Sequence, residues 1–312
     1  KKITEYFKFN YSKNNKIDKY PFIPVSLFKK HKLISVDESK LIREIVSSGT
    51  SGELSKIYLD QINSLNQKKV LTGIVSSVIG KERIPMLIID SDPSIKVNNN
   101  INARKAAIYG FSVFGKNITY ALDANYSIKY KEVSEFFEKY SKQKFLIFGF
   151  TYLVFLKLIK EFKLSKISNP QINKAILIHG GGWKKIENLK ISKKNFKSML
   201  LKKFNIPRVY NYYGMVEQTG SIFFECECGY LTTSIFSDII IRDSFFNVLK
   251  PNQKGIMQLL SLIPSSYPGH NILTEDIGEQ IPNNKCTCKI KGKKFLIHGR
   301  LDKTERRGCS DV

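Results

Sequence analysis

Five stretches of the chain concentrate residue types that can handle a phosphorylated ligand. Ser47-Ser48-Gly49-Thr50-Ser51-Gly52, followed by Ser55-Lys56, is the densest run of hydroxyls and glycines. Glycines let backbone N–H groups converge on an anion, hydroxyls add donors, and a lysine adds charge. The spacing is not that of a Walker A loop, and a Ser/Gly-rich surface turn has the same composition. His179-Gly180-Gly181-Gly182-Trp183 follows the apolar run Lys174–His179. Three glycines admit a flat ring or a phosphate to the backbone, and Trp183 can close over it; a flexible strand-to-helix turn anchored by Trp183 is the plainer alternative. Tyr212-Tyr213-Gly214-Met215-Val216-Glu217-Gln218-Thr219-Gly220 puts an aromatic ring able to stack on a purine near Glu217. That carboxylate can hold Mg2+ against phosphates, or be an ordinary loop carboxylate. Thr274-Glu275-Asp276-Ile277-Gly278 puts Asp276 at the end of a β segment, where it can accept two hydrogen bonds from a ribose diol. His298-Gly299-Arg300 then offers a cation to the same diol or to phosphates.

Four of the five cysteines form two Cys-x-Cys pairs, Cys226-Glu227-Cys228 and Cys286-Thr287-Cys288, with 57 residues between them. Two pairs of soft ligands fit a tetrahedral Zn2+ held by four thiolates, although Cys-x-Cys is tighter than the common Cys-x2-Cys knuckle. Four small, partly buried thiols are the alternative. Cys309 stands apart in Arg306-Arg307-Gly308-Cys309-Ser310. Two adjacent guanidiniums favour its thiolate, which can then act as a nucleophile; an incidental exposed cysteine has the same sequence. Of the four histidines, His31 reads as a surface residue. His179, His270 and His298 each lie at a strand end beside one of the candidate loops, where an imidazole can polarise a carboxylate or simply be a hydrogen-bonded structural residue.

The elements that must position these residues alternate between strand-length apolar runs and helical patterns. Val70–Val78 and Pro85–Ile89 read as strands or buried segments, and Val133–Lys142 has helical spacing. Lys144–Phe148 reads as a buried strand, Thr151–Phe162 as an apolar-faced helix, and Lys174–His179 as a strand. Asn195–Phe204 is an amphipathic helix and Arg208–Tyr212 a strand. Alternation of this kind predicts an α/β sheet with ligands at the carboxyl ends of the strands. From about Gly220 short β-type runs follow: Ser221–Glu225, Asp238–Arg242, Gly255–Ile263 and Lys294–His298. The expected organisation is an α/β nucleotide- and acyl-binding part over 1–220 and a β-rich subdomain over 221–312, with no flexible linker before it.

At 312 residues the chain can bury a substantial core, and its composition is that of a globular protein. Fifty-one Lys+Arg against 27 Asp+Glu give a net charge of +24, which invites a polyanion. The excess is spread along the chain with heavy Asn and Ile usage, as AT-rich coding bias also produces, and does not single out nucleic acid. A late cluster, Lys285–Arg307, holds nine Lys/Arg against Asp302 and Glu305 and also reads as a solvated basic face. Lys1–Asn10 has no apolar segment of the kind a secretory leader needs. Phe145–Leu156, the longest near-apolar run, falls short of the roughly 20 residues that span a bilayer. The expectation is a cytoplasmic, soluble protein with no disulfide scaffold.

The order of the motifs carries more than any one of them. A Ser/Thr/Gly loop, a Gly-Gly loop, Tyr-Gly-x-x-Glu, Thr-x-Asp and then Gly-Arg resembles the adenylate-forming superfamily of acyl-CoA synthetases, luciferases and peptide-synthetase adenylation domains. More narrowly, four blocks resemble the LuxE-type acyl-protein synthetases, with phenylacetate-CoA ligases more distant: Ile178–Trp183, Tyr213–Ser221, Tyr267-Pro268-Gly269-His270-Asn271-Ile272-Leu273-Thr274-Glu275-Asp276 and Arg307–Ser310. The resemblance runs from about Val46 to the carboxyl end. It implies the large-domain fold of adenylate-forming enzymes, mixed sheets with flanking helices, plus the carboxyl-terminal β-rich subdomain.

The resemblance also implies activation of a carboxylic acid by ATP. In that scheme Ser48, Gly49, Thr50, Ser51, Gly52 and Lys56 wrap the β- and γ-phosphates, Gly181 and Gly182 line the adenine, and Tyr213, followed by Gly214, stacks on it. Glu217 ligates Mg2+, and Asp276 binds the ribose hydroxyls with help from Arg300. Cys309 is the acyl acceptor, and an acyl-accepting reductase or transferase is the implied partner. Phe148–Leu153 falls where the superfamily places its acid-substrate wall, and is equally the start of a core helix. Two departures stand out. Glu275 replaces the glycine usual before the ribose aspartate. The chain also stops 12 residues after Arg300, so the usual mobile carboxyl-terminal domain, with the lysine that bridges substrate carboxylate and α-phosphate, is expected to be missing; His270 and Lys303 are candidate stand-ins. A carboxylate–CoA ligase and a basic, zinc-bearing binding module remain as the alternative functions.

Overall fold

The computed structural model describes residues 16–47, 53–94, 102–163, 172–181, 189 and 191–301. The chain forms two compact units. One comprises Lys1–Glu44, Glu53–Gln67 and Gly214–Glu305, the other Ile45–Gly52, Lys68–Tyr213 and Arg306–Val312. The first unit opens with strand β1 (Ile23–Pro24), the short helix α1 (Leu27–Lys30), and β2 (Leu41–Val46), which forms a two-stranded sheet with β3 (Lys56–Asp60).

Helix α2 (Gln61–Ile79) follows, and it makes Val70–Val78, read as a strand or a buried segment, part of a helix rather than a strand. Its buried positions, Asn63, Gln67, Val70, Val75 and Ile79, recur at helical spacing, and that period overrides the β preference of its valines and isoleucines. The Asp60 carboxylate accepts the Asn63 N–H at 2.7 Å and starts the helix. Gly80, at φ +89°, ends it in the left-handed conformation that glycine supplies without strain.

The second unit is a parallel sheet of β4 (Ile84–Ser91), β5 (Gly115–Leu122), β6 (Phe145–Phe150), β7 (Ala175–Gly180) and β8 (Arg208–Tyr213), in the order β5-β4-β6-β7-β8. Every residue of β4, β6 and β7 is buried, as expected of parallel strands covered on both faces. The crossover helices include α3 (Ala103–Ser112), α4 (Tyr130–Tyr140), α5 (Thr151–Leu153) and α6 (Lys193–Phe204). The helix expected at Thr151–Phe162 starts as α5 and continues as π-helix over Val154–Glu161. Aromatic rings fill the core: Phe111 stacks on Phe148 at 4.3 Å and meets Tyr212 at 5.1 Å.

The chain then completes the first unit with antiparallel strands β9 (Phe223–Glu225), β10 (Leu231–Thr232), β11 (Ser237–Arg242), β12 (Lys254–Ser261), β13 (Asn271–Ile281) and β14 (Lys294–Arg300), ordered β11-β12-β13-β14-β10-β9. The amino-terminal segment belongs with them because β1 adds to β13 in parallel, Ile23 opposite Ile272. Asp276, expected at a strand end, lies mid-strand in β13. The pairing with β14 shifts register between Ile277 and Gly278. At Gly278 a Cβ would come within 2.5 Å of the Met257 side chain, so the close approach of β12 requires glycine there.

Candidate active site

In the first unit Glu217 sits in the 3-10 turn Val216–Gln218. The turn is fixed from beneath by Gln218, whose amide donates to the carbonyls of Leu259 (3.1 Å) and Gly269 (2.9 Å). A Cβ on Gly269 would stand 2.7 Å from the Glu217 carbonyl oxygen, so the Pro-Gly-His loop can lie against the turn only with glycine at this position. Gly220 adopts φ +90°, and a Cβ there would meet the Gln67 backbone at 2.9 Å. These constraints leave Glu217 only 6% exposed.

Burial raises the Glu217 carboxyl above the usual carboxylate range. A hydrogen bond with the Ser55 side chain and the charges of Arg300 and Lys29 oppose the rise. Tyr267 is fully buried nearby, and its phenol is pushed up by burial and by the Glu217 charge. The Tyr267 hydroxyl lies close to Gln67 but is not within hydrogen-bond geometry of it.

Asp276 and Arg300 face each other across β13 and β14, with Arg300 Nε 3.2 Å from Asp276 Oδ1. The Thr274 hydroxyl donates to the Met257 carbonyl at 2.8 Å and accepts the Asp276 N–H at 3.1 Å, which locks the strand where the carboxylate leaves it. The neighbouring Glu275 holds Lys29 of α1, with both carboxylate oxygens 3.2 Å from Nζ. Lys29 was not legible as a site residue, since 246 positions separate it from its partner and no local spacing links them. Ser55, named in the hydroxyl-rich cluster of the sequence, is the residue of that cluster that hydrogen-bonds with Glu217. Lys56 lies on β3, its ammonium 4.0 Å from Glu44. His270 is exposed in the loop before β13. His298 Nε2 is 2.8 Å from Glu279.

In the second unit the candidate residues sit at the carboxyl ends of β7 and β8. A Cβ on Gly180 would fall 2.5 Å from the Tyr212 ring, so glycine lets that ring pack flat on β7. Gly181 follows at φ +63°, and Tyr213 is half-buried at the end of β8. His179 is buried, with Nδ1 2.8 Å from the Thr151 hydroxyl. Burial, aided by Lys197 and Lys193, pushes it down to about 3, so it is neutral at neutral pH. Phe148, Phe150 and Leu153 are core residues. Arg104 makes a two-pronged pair with Asp90 at the end of β4, with Nε–Oδ2 at 2.8 Å and the second contact at 2.7 Å. Neither has a sequence signature. Ser48, Gly49, Thr50, Ser51, Gly52, Gly182, Trp183, Lys303 and Cys309 lie outside the described residues.

The two Cys-x-Cys pairs come together in the first unit. The sulfurs of Cys226, Cys286 and Cys288 lie within 4.8 Å of one another. Cys228, on the same hairpin turn as Cys226, is exposed, and hydrogen bonds with Thr287 and Cys286 bring its thiol down to about 7.

A parallel α/β unit and a unit of antiparallel strands make up a mixed α/β fold of the kind seen in adenylate-forming enzymes. The fold matches 2-hydroxyisobutyryl-CoA ligase in complex with 2-HIB-AMP with a TM-score of 0.67, at 12% identity over 91% of this chain and 58% of that one. It also matches the luciferase-like enzyme of the nonluminescent mealworm Zophobas morio with a TM-score of 0.56, at 16% identity over 86% of this chain and 60% of that one. The chain thus spans about three-fifths of the length of these structures. Among the described residues no helix is long and apolar enough to cross a membrane.

The acyl-protein synthetase family, LuxE, matches residues 3–312, and the chain belongs to this family of ligase-type enzymes. The long-chain-fatty-acid–luciferin-component ligase of Aliivibrio fischeri is 26% identical over 338 residues, covering 99% of this chain and 86% of that protein.

Proposed function

We propose that the protein joins a carboxylic acid of fatty-acid type to the sulfur of Cys309 at the expense of ATP. A substrate carboxylate oxygen attacks the α-phosphorus of ATP, giving acyl-adenylate and pyrophosphate. The Cys309 thiolate then attacks the acyl carbon, expelling AMP and leaving a thioester, and the acyl group passes to a partner reductase or transferase. The carboxylate is a weak nucleophile and the phosphorus is surrounded by negative charge, so alignment and charge neutralisation must provide most of the acceleration.

The observation that supports this reading most is the convergence of Glu217, Asp276 and Arg300 within one unit. Arg300 lies against Asp276 while its charge, with that of Lys29, acts on Glu217. A buried carboxylate disfavoured as an anion fits a divalent cation: Mg2+ bound there supplies positive charge to the phosphate oxygens. Glu217 would hold it, Asp276 would take the ribose diol, and Arg300 would orient that carboxylate. Gly181, Gly182 and Tyr213 keep their adenine role, and Ser48–Gly52 with Lys56 their phosphate role. The zinc ion expected on the other four cysteines takes no part in these steps.

The test is acid-dependent ATP–pyrophosphate exchange across a panel of acids, followed by labelling with radioactive acid. Exchange with the longer fatty acids and hydroxylamine-labile label on the protein are expected. Cys309→Ala should keep exchange and lose the label. No exchange with any acid would reject adenylation, and acyl-CoA formation without protein label would move the acceptor to CoA.

A further inference from the structure

The two cysteine pairs are each presented by a tight turn. Cys226 follows β9, and its turn closes with the Cys226 N–H donating to the Tyr230 carbonyl at 2.8 Å and the Gly229 N–H donating to the Cys226 carbonyl at 2.9 Å. Gly229 takes φ +85°, which the turn requires. Cys286 follows the turn Asn283–Lys285 and donates its N–H to the Asn283 carbonyl at 3.2 Å.

The sulfurs of Cys226 and Cys286 are 3.7 Å apart, and those of Cys286 and Cys288 3.1 Å. Neither distance is a disulfide, which needs about 2 Å. Four sulfurs bound at about 2.3 Å around one zinc stand about 3.8 Å from each other. The Cys226–Cys286 distance matches that spacing, the Cys286–Cys288 distance is about 0.7 Å shorter, and all three sulfurs lie within 4.8 Å of one another, as one shared ion requires. Cys228 Sγ reaches the hydroxyl of Thr287, the residue between the two other ligands, at 3.4 Å.

A second observation is independent of the sulfurs. Lys294 is 3% exposed. Its ammonium donates to two neutral carbonyls, Ile290 at 2.6 Å and Gly292 at 3.1 Å. Among the described residues no carboxylate pairs with it. A buried ammonium without a counter-charge is costly. Its charge does act on Cys288. Zinc with four thiolates is a doubly negative centre, and Lys294 stands where such a centre would supply the missing anion.

We infer that Cys226, Cys228, Cys286 and Cys288 bind one zinc ion as a closed four-thiolate centre, with Lys294 as its buried counter-ion. Binding releases the remaining thiol protons to solvent and changes no oxidation state. The centre serves a ladder too short to hold itself. β10 has only two residues, paired as Leu231 with Phe295 and Thr232 with Lys294 on one side and with β9 on the other. The metal ties the β9–β10 turn to the segment that leads into β14. That strand ends at Arg300, so the centre anchors one end of the strand whose other end faces Asp276. The metal assignment is independent of the adenylation reading: a protein inactive in pyrophosphate exchange would still carry zinc.

Elemental analysis of the full chain, purified without chelator, is expected to give about one zinc per chain. Zinc should persist in Cys309→Ser and be lost in Cys288→Ser, while Lys294→Met should surrender it to a chelator several-fold faster. Replacement of zinc by Co2+ in the unsubstituted protein should give the intense sulfur-to-cobalt and tetrahedral visible bands of four thiolates. This reading does not depend on any variant folding. Protein isolated without metal that also gives no such cobalt spectrum would overturn the inference, as would stoichiometric iron in place of zinc or full zinc retention in Cys288→Ser.

Discussion

Two buried carboxylates, one in each unit, have opposite surroundings. Asp90 is sealed: its side chain is 2% exposed, and Arg104 grips both oxygens. The guanidinium is covered in turn by the Tyr126 ring at 4.9 Å and the Phe150 ring at 5.8 Å. Glu217 is as deeply placed but has no ion pair among the described residues. The two cations whose charges reach it are each held by another carboxylate, Arg300 by Asp276 and Lys29 by Glu275. The first arrangement is complete without a ligand. The second is short of positive charge at one point, as expected of a carboxylate that works by meeting a cation. Depth of burial alone therefore does not distinguish the two carboxylates; the degree of local neutralisation does, and the Mg2+ role proposed for Glu217 rests on it.

Breaking the complete pair should have the largest effect on stability. Arg104→Ala leaves Asp90 buried and alone, a class of change that costs about 3–5 kcal/mol. Denaturant unfolding should show this as a lower midpoint. A midpoint equal to that of the unsubstituted protein would mean that the Asp90–Arg104 pair is dispensable, and would weaken the contrast with Glu217.

Glu217→Gln should do the reverse. Pyrophosphate exchange should fall by at least about tenfold, the lower end of what metal-site groups contribute, while the melting temperature holds or rises. The pH dependence has a definite sign. A carboxyl raised in the folded state gives stability that is fully present below its unfolded value and is lost as pH rises through its folded value. Without nucleotide or Mg2+, the unsubstituted protein should therefore lose stability relative to Glu217→Gln as pH climbs from the ordinary carboxylate range through that raised value. Parallel melting curves across pH for the two proteins would remove the basis for treating Glu217 as an unsatisfied charge.

These contrasts also mark what the residues reveal in order along the chain. β4, β6 and β7 were legible because strands buried on both faces leave unbroken apolar runs. Val70–Val78 reads as a strand or a buried segment because the valines and isoleucines of α2 mimic a strand, and only burial at helical intervals shows that it is helix. Glu217, Asp276 and Arg300 each belong to a short motif, and the resemblance already implies that they share a site. What no motif shows is the geometry, the pairing of β13 and β14 that sets Asp276 opposite Arg300. The cysteines announced themselves by spacing. Lys294 did not: a lysine in a basic stretch looks solvated until its burial is known. The Asp90–Arg104 pair has no motif at all, since it depends on the end of β4 meeting the start of α3.

Lys29 offers the finest division of the comparison, with the smallest expected effect. Its ammonium is bound to Glu275, and its charge also reaches Glu217. If the pair only ties α1 to β13, Lys29→Met should lower stability slightly and leave catalysis alone, since a partly exposed ion pair is worth about 1 kcal/mol or less. If Lys29 also serves the nucleotide, the same substitution should raise the KM for ATP a few-fold at limiting Mg2+, with kcat for exchange little changed. Lys29→Arg, which keeps the charge, should restore most of that KM. Glu275→Gln separates the two roles further. It frees Lys29 without removing it, so the structural tie is lost while the cation remains. An ATP KM raised in Lys29→Met and unchanged in Glu275→Gln would make Lys29 part of the nucleotide-binding charge. Equal KM values in all three variants would confine it to holding the amino-terminal segment on the sheet.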